Sequence, residues 1–148
     1  LLKAVKEASG RYLAGRTSLE EIINGSADAY PILRPYFFGA RGERVCLLCL
    51  DGKGKVLGVR EIAEGSVNAA EVTTRGVVEA ALSLNAAQVI LAHNHISGLA
   101  LPSAEDKATT RYLAGVLAAV GVELADHLIF VDDDMVSLKD SGFSFRGP

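Results

Sequence analysis

Residues 88–92, Gln88-Val89-Ile90-Leu91-Ala92, read as a short apolar strand that runs straight into His93-Asn94-His95. A helix is expected over about 104–120, because Leu113, Val116, Leu117 and Val120 fall at i, i+3, i+4 and i+7 on one face. An apolar strand feeding an amphipathic helix is the unit from which sheets covered by helices are built. The remaining segments extend the pattern. Residues 44–50 read as a buried strand, Asp51-Gly52-Lys53-Gly54 as a turn, and 55–63 as the returning arm of a hairpin. Residues 65–74 read as loop and 75–84 as helix. Residues 128–131 and 135–138 read as strands joined by a turn at 132–134. The order β-β-α-β-α-β-β predicts an α/β fold, a mixed sheet flanked by helices.

The N-terminal stretch is expected to be helical over 1–14. Ser18-Leu19-Glu20-Glu21 is a capping-box pattern that opens a short helix through Ile22 and Ile23, with Asn24-Gly25 as its stop. Pro31 and Pro35 then mark an irregular link. This divides the chain into a helical segment, 1–35, and a sheet domain, 36–148.

At 148 residues with 49% apolar side chains, the chain has the size and composition of a single domain with a sizeable core. A net charge of −3 gives no global attraction to nucleic acid. Apolar runs are far short of a membrane span and the N-terminus does not read as a signal peptide, so a cytoplasmic location is expected. The chain starts on Leu1, which reads as a piece of a longer protein. Cys46 and Cys49 are spaced C-x-x-C, but inside a strand residues three apart face opposite sides, so they read as core cysteines.

The chemistry concentrates between residues 93 and 106. Two of the three histidines are one residue apart just past the carboxyl end of an apolar strand, where α/β folds bind ligands. With strand geometry, His93 and His95 point the same way. Asp106 stacks with Thr110, Leu113 and Leu117 on the inward face of the next helix, where a carboxylate requires a cation or donors. Two imidazoles and a carboxylate make a three-ligand zinc set with a fourth position open. A second reading stays open at this point. Ser103-Ala104-Glu105-Asp106 is also a capping box, and an acid in the first turn suits the helix dipole without any metal. His127 reads as structural, Asp132-Asp133-Asp134 as a solvated turn, and Gly52-Lys53-Gly54 lacks the rest of a phosphate-binding loop.

His93-x-His95-x-Ser97-Gly98, with Ser103 and Asp106, resembles the H-x-H-x(7)-S-x-x-D part of the JAMM motif of JAB/MPN metalloproteases. Gly65-Ser66-Val67-Asn68-Ala69, Leu84-Asn85-Ala86-Ala87 and Asp126-His127-Leu128-Ile129 resemble its RadC-like bacterial branch, over roughly 42–140. The resemblance implies a cytidine-deaminase-like three-layer fold, Zn2+ held by His93, His95 and Asp106, and a zinc-activated water as nucleophile. It implies that Ser103 stabilises the oxyanion and that a glutamate on an upstream strand handles protons. It also implies a DNA-repair association, with residues 1–16 similar to the tail of a helix-hairpin-helix region.

The sequence departs from that family pattern where the glutamate is expected, since Arg60 stands there. Glu61 and Glu64 are the candidate bases. Glu61 is one step off and needs a bulge to re-aim it. Ile96 also replaces the usual proline of the H-N-H-P-S-G run, and Thr73-Thr74-Arg75 stands where Pro-Arg is common. The expected function is a zinc-dependent hydrolase acting on an amide or isopeptide-like bond of a peptide or protein. The alternative is a non-catalytic zinc-stabilised module that binds DNA or a repair protein. A zinc deaminase ranks last, because H-x-E and P-C-x-x-C are both missing. Oligomeric state is not legible.

Overall fold

A computed structural model describes residues 21–64 and 70–146, without the side chains of 63–64 and 70–72. Its five strands are β1 (Arg44–Leu50), β2 (Val56–Glu64), β3 (Gln88–Asn94), β4 (Glu123–Val131) and β5 (Asp134–Ser137). They form one sheet in the order β2-β1-β3-β4-β5. Only the β3–β4 pair is parallel. The described helices are α1 (Ser26–Leu33), α2 (Ala70–Ser83) and α3 (Ala104–Ala119), with a 3-10 turn at Arg34–Tyr36.

Side-chain alternation in the two central strands explains the layers. Val45, Leu47 and Cys49 of β1, with Val89 and Leu91 of β3, pack against Val77 and Ala81 of α2 and Leu113 and Leu117 of α3. Cys46, Leu48, Ile90 and Ala92 face the other way, onto Ala29 and Leu33 of α1 and Phe37. Strands buried on both faces have no polar side, which is why 44–50 and 88–92 read as continuous apolar runs. The sheet between two helical layers is the expected mixed α/β architecture.

Parallel strands cannot be joined by a hairpin, so the chain crosses from β3 to β4 through α3. That crossover places the carboxyl end of β3 and the amino end of α3 together. Ser103 caps α3 by accepting from Asp106 N, and Asp106 accepts in return from Ser103 N. The helix ends where Gly121 turns left-handed, at φ +81, and Val122 N bonds back to the Leu117 carbonyl.

Several boundaries differ from expectation. Ile22 and Ile23 are extended, not helical: Ile22 bridges Lys55 and Ile23 N bonds to the Gly54 carbonyl. Residues 1–20, including Ser18 and the helix expected over 1–14, lie outside the described residues, as do 65–69. Gly25 opens α1 rather than closing a helix, and Pro31 sits inside α1. Burial of Ala29 and Leu33 on the sheet outweighs the proline, which forfeits a single backbone bond in an eight-residue helix. Residues 70–74 are helix rather than loop, with Thr73 buried. β4 begins at Glu123, five residues early, because its polar residues Asp126 and His127 are buried and hydrogen-bonded.

Cys46 and Cys49 lie in opposite layers, as their spacing predicted. Burial pushes their thiols up to about 12 and about 11, so neither is a thiolate at neutral pH. No described helix is long and apolar enough to cross a membrane.

Gly76 lets α2 approach β2 closely: a Cβ there would lie 2.7 Å from Ile62 Cγ2. Ile62 is β-branched and yields little. Gly76→Ala is therefore expected to destabilise. Overpacking costs roughly 1–3 kcal/mol, against a helix-propensity gain of about 1 kcal/mol. A fall in the urea midpoint is the expected result, and a rise would show that the α2–β2 contact is slack.

Candidate metal centre

His93 is the penultimate residue of β3, opposite Val45 on one side and Ile129 on the other, so its ring enters the α2–α3 layer. His95 lies just beyond the strand, but its N–H still bonds to the Phe130 carbonyl at 2.9 Å. The extended path thus continues for one more residue. The two rings come to 4.9 Å between centroids. Asp106 sits in the first turn of α3, 1% exposed. Its Oδ2 lies 3.1 Å from His95 Nε2 and its Oδ1 3.5 Å from His93 Nε2.

The three ligand atoms all lie within 4.8 Å of one another. Tetrahedral ligands about 2 Å from zinc stand about 3.4 Å apart, so the set needs only small side-chain adjustments to close on one ion. The capping box is present, with Oδ2 completing the helix cap, and it leaves Oδ1 facing His93.

The electrostatics agree with a ligand role. Burial pushes His93 down to about 4, outweighing the raising effect of Asp106, while His95 lowers it further. The imidazole is therefore neutral at physiological pH, which is the form that binds a metal. No ion pair with Asp106 forms despite their proximity. His93 Nε2 is consequently a buried nitrogen with no hydrogen-bond partner. An orphaned polar atom is costly in a core, and a cation between it and the carboxylate removes the cost. Residues and geometry fit a divalent ion. His95, its side chain 22% exposed, leaves the grouping open toward solvent on one side.

Ser103 is exposed at the same helix start. Its oxygen accepts from Asp106 N at 2.9 Å, which leaves the hydroxyl proton free to donate elsewhere.

Glu61 is not brought to this group. It pairs with Cys46, whose side chain belongs to the α1 layer, and its charge helps to raise the Cys46 thiol pKa. The bulge that Glu61 needed does exist, but one residue too late: the register passes from Cys46↔Glu61 to Val45↔Ala63, leaving Ile62 as the extra residue. Glu64 ends β2 and pairs with Arg44; its side chain lies outside the described residues.

His127, read from the sequence as structural, lies in contact with this group. It is fully buried, with Nε2 2.8 Å from His93 Nδ1 and Nδ1 2.6 Å from Thr110 Oγ1. Burial holds it well below its ordinary pKa, hence neutral. Asp126, one residue earlier, accepts from His127 N, Ser137 Oγ and Lys139 N and so fixes β4 to the turn after β5. Burial raises its pKa. The sequence signal for this pair was an Asp-His dipeptide inside an otherwise apolar strand.

Comparison with known proteins adds the family. A family model described as the RadC-like JAB domain matches residues 23–143. The chain belongs to the RadC-like JAB domain family. It is 36% identical over 142 residues to a UPF0758 protein of Vibrio atlanticus, covering 96% of this chain and 63% of that protein. It is 38% identical over 141 residues to UPF0758 protein PSHAa2643 of Pseudoalteromonas translucida, covering 95% and 63%. A UPF0758 protein of Alcanivorax borkumensis is 39% identical over 142 residues, covering 96% and 63%. The chain thus spans less than two thirds of the length of these curated relatives. Helix α1 lies inside the family match and inside the sheet's own core.

Asp126→Ala leaves the His127 and Lys139 N–H groups and the Ser137 hydroxyl without their acceptor. A loss of roughly 2–4 kcal/mol is expected from chemical denaturation of the metal-free protein. A loss below about 0.5 kcal/mol, the scale of ordinary surface changes, would show that water replaces the carboxylate freely.

Proposed function

We propose that this domain is a zinc-dependent hydrolase that cleaves an amide or isopeptide-like bond at the His93–His95–Asp106 grouping. The observation that carries the reading is the bare Nε2 of neutral, buried His93 facing the Asp106 carboxylate, beside a partly exposed His95. Such a set closes three coordination positions and leaves one for substrate or water. A zinc ion bound there supplies a Lewis acid for a carbonyl and lowers the pKa of water toward neutrality.

The chain's own residues supply the rest. Asp106 and the two imidazoles would hold the ion with a net ligand charge of −1. Ser103, with its hydroxyl proton uncommitted at the amino end of α3, donates to the carbonyl oxygen of the scissile amide as charge builds on it. Proton transfer is left to one of the two candidate bases, Glu61 and Glu64. The register does not choose between them: Glu61 pairs with Cys46 and Glu64 with Arg44, the two residues that flank Val45 in the His93 row. Ile96, Leu99 and Leu101 are exposed on the loop between His95 and α3, a surface suited to an apolar peptide segment beside the centre.

The position of Glu61 also favours a second reading, a metal-stabilised module without turnover that binds DNA or a repair protein. The zinc-loaded chain, tested on a fluorogenic peptide library, separates the two. Turnover is expected that falls roughly 10²–10³-fold in Ser103→Ala with zinc retained. One of Glu61→Gln and Glu64→Gln is expected to abolish it, which identifies the base, and full turnover in both would exclude the two glutamates from the chemistry. Full zinc loading with no turnover on any peptide would favour the module.

A further inference from the structure

Behind the centre runs a chain of buried hydrogen bonds whose direction is set at one end. The carbonyl oxygen of Asp106 can only accept. Thr110 Oγ1 lies 2.6 Å from it, so the single hydroxyl proton points there. The same Oγ1 is 2.6 Å from His127 Nδ1, and having spent its proton it must accept one. His127 therefore carries its proton on Nδ1 and presents Nε2 as a lone pair. That lone pair is 2.8 Å from His93 Nδ1, so His93 in turn carries its proton on Nδ1. The atom left bare is His93 Nε2, the one that faces Asp106 Oδ1. The chain begins on the main chain of Asp106 and ends facing its side chain.

We propose that Thr110 and His127 are positioning residues for the metal centre, together holding His93 in the one tautomer that offers Nε2 to a divalent ion. The proposal rests on the metal reading above. A ligand histidine usually donates its other N–H to a carboxylate or carbonyl, whose acceptor character is unambiguous. Here the acceptor is a second imidazole, which can carry its proton on either nitrogen. His127 alone cannot set the direction. Thr110, committed to a carbonyl one helical turn back, makes it single-valued. Both residues are buried at 0% exposure, so water does not substitute for either.

Thr110→Val keeps the β-branched shape and removes the hydroxyl. His127 is then free to move its proton to Nε2 and force His93 to protonate on the nitrogen that must bind metal. Zinc affinity, measured by chelator competition, is expected to fall roughly 10–100-fold. Thr110→Ser retains the hydroxyl and is expected to restore it. Long-range 15N–1H spectra of the metal-free, unmodified 148-residue chain read the tautomers directly, without reliance on any variant folding. Protons on Nδ1 of both His93 and His127 are expected. Zinc uptake with the His93 proton on Nε2, or undiminished affinity in Thr110→Val, would overturn the relay alone. No zinc uptake by the unmodified chain would overturn the metal reading and the purpose of the relay with it.

Discussion

The buried carboxylate of Asp106 organises this end of the molecule. At 1% exposure it cannot rely on water, and each of its groups is engaged. One oxygen meets His95 and the Ser103 amide, and the other faces the bare nitrogen of His93. Its amide bonds to the Ser103 hydroxyl and its carbonyl accepts from Thr110. A buried charge of this kind is tolerated only where donors or a cation surround it. Oδ1 lies 3.5 Å from His93 Nε2, a separation that a cation between them would bridge.

The fold makes this convergence inexpensive. Because β3 and β4 are parallel, the connection between them must cross one face of the sheet, and α3 does so. Its first turn then lies directly over the end of the strand it leaves. His93 needs only the strand's alternation to reach the same layer, and His127 reaches it from the neighbouring strand opposite Leu91. The sheet's two central strands are covered on both faces, so the site is built on rigid elements rather than on long loops.

Most of this was legible in the residues, since continuous apolar runs and helical periodicity are local signals. Strand 44–50, the hairpin, strand 88–92 and the helix from 104 rest on such signals, and the H-x-H-to-Asp spacing needed only alternation and one inward helical face. Non-local effects were not legible. Pro31 argued against a helix, yet Ala29 and Leu33 gain more from the sheet than the proline forfeits. Asp126 and His127 argued against a strand, because their partners Ser137, Lys139 and Thr110 are distant in sequence. The bulge at Ile62 is a matter of register between two strands, and one position decides which face Glu61 takes. Thr110 was visible on the inward face of α3 next to Asp106, but its link to His127 required the fold.

The central proposal is that His93, His95 and Asp106 bind a single divalent ion; the RadC-like JAB family and the close grouping of the three side chains support it. Zinc-edge X-ray absorption on the zinc-loaded chain tests it most directly. The claim predicts one equivalent of zinc with nitrogen and oxygen scatterers alone at about 2.0–2.1 Å, two of them imidazoles. Sulfur scattering at about 2.3 Å, which would place the ion on Cys46 or Cys49, or a fit without imidazole, would contradict it.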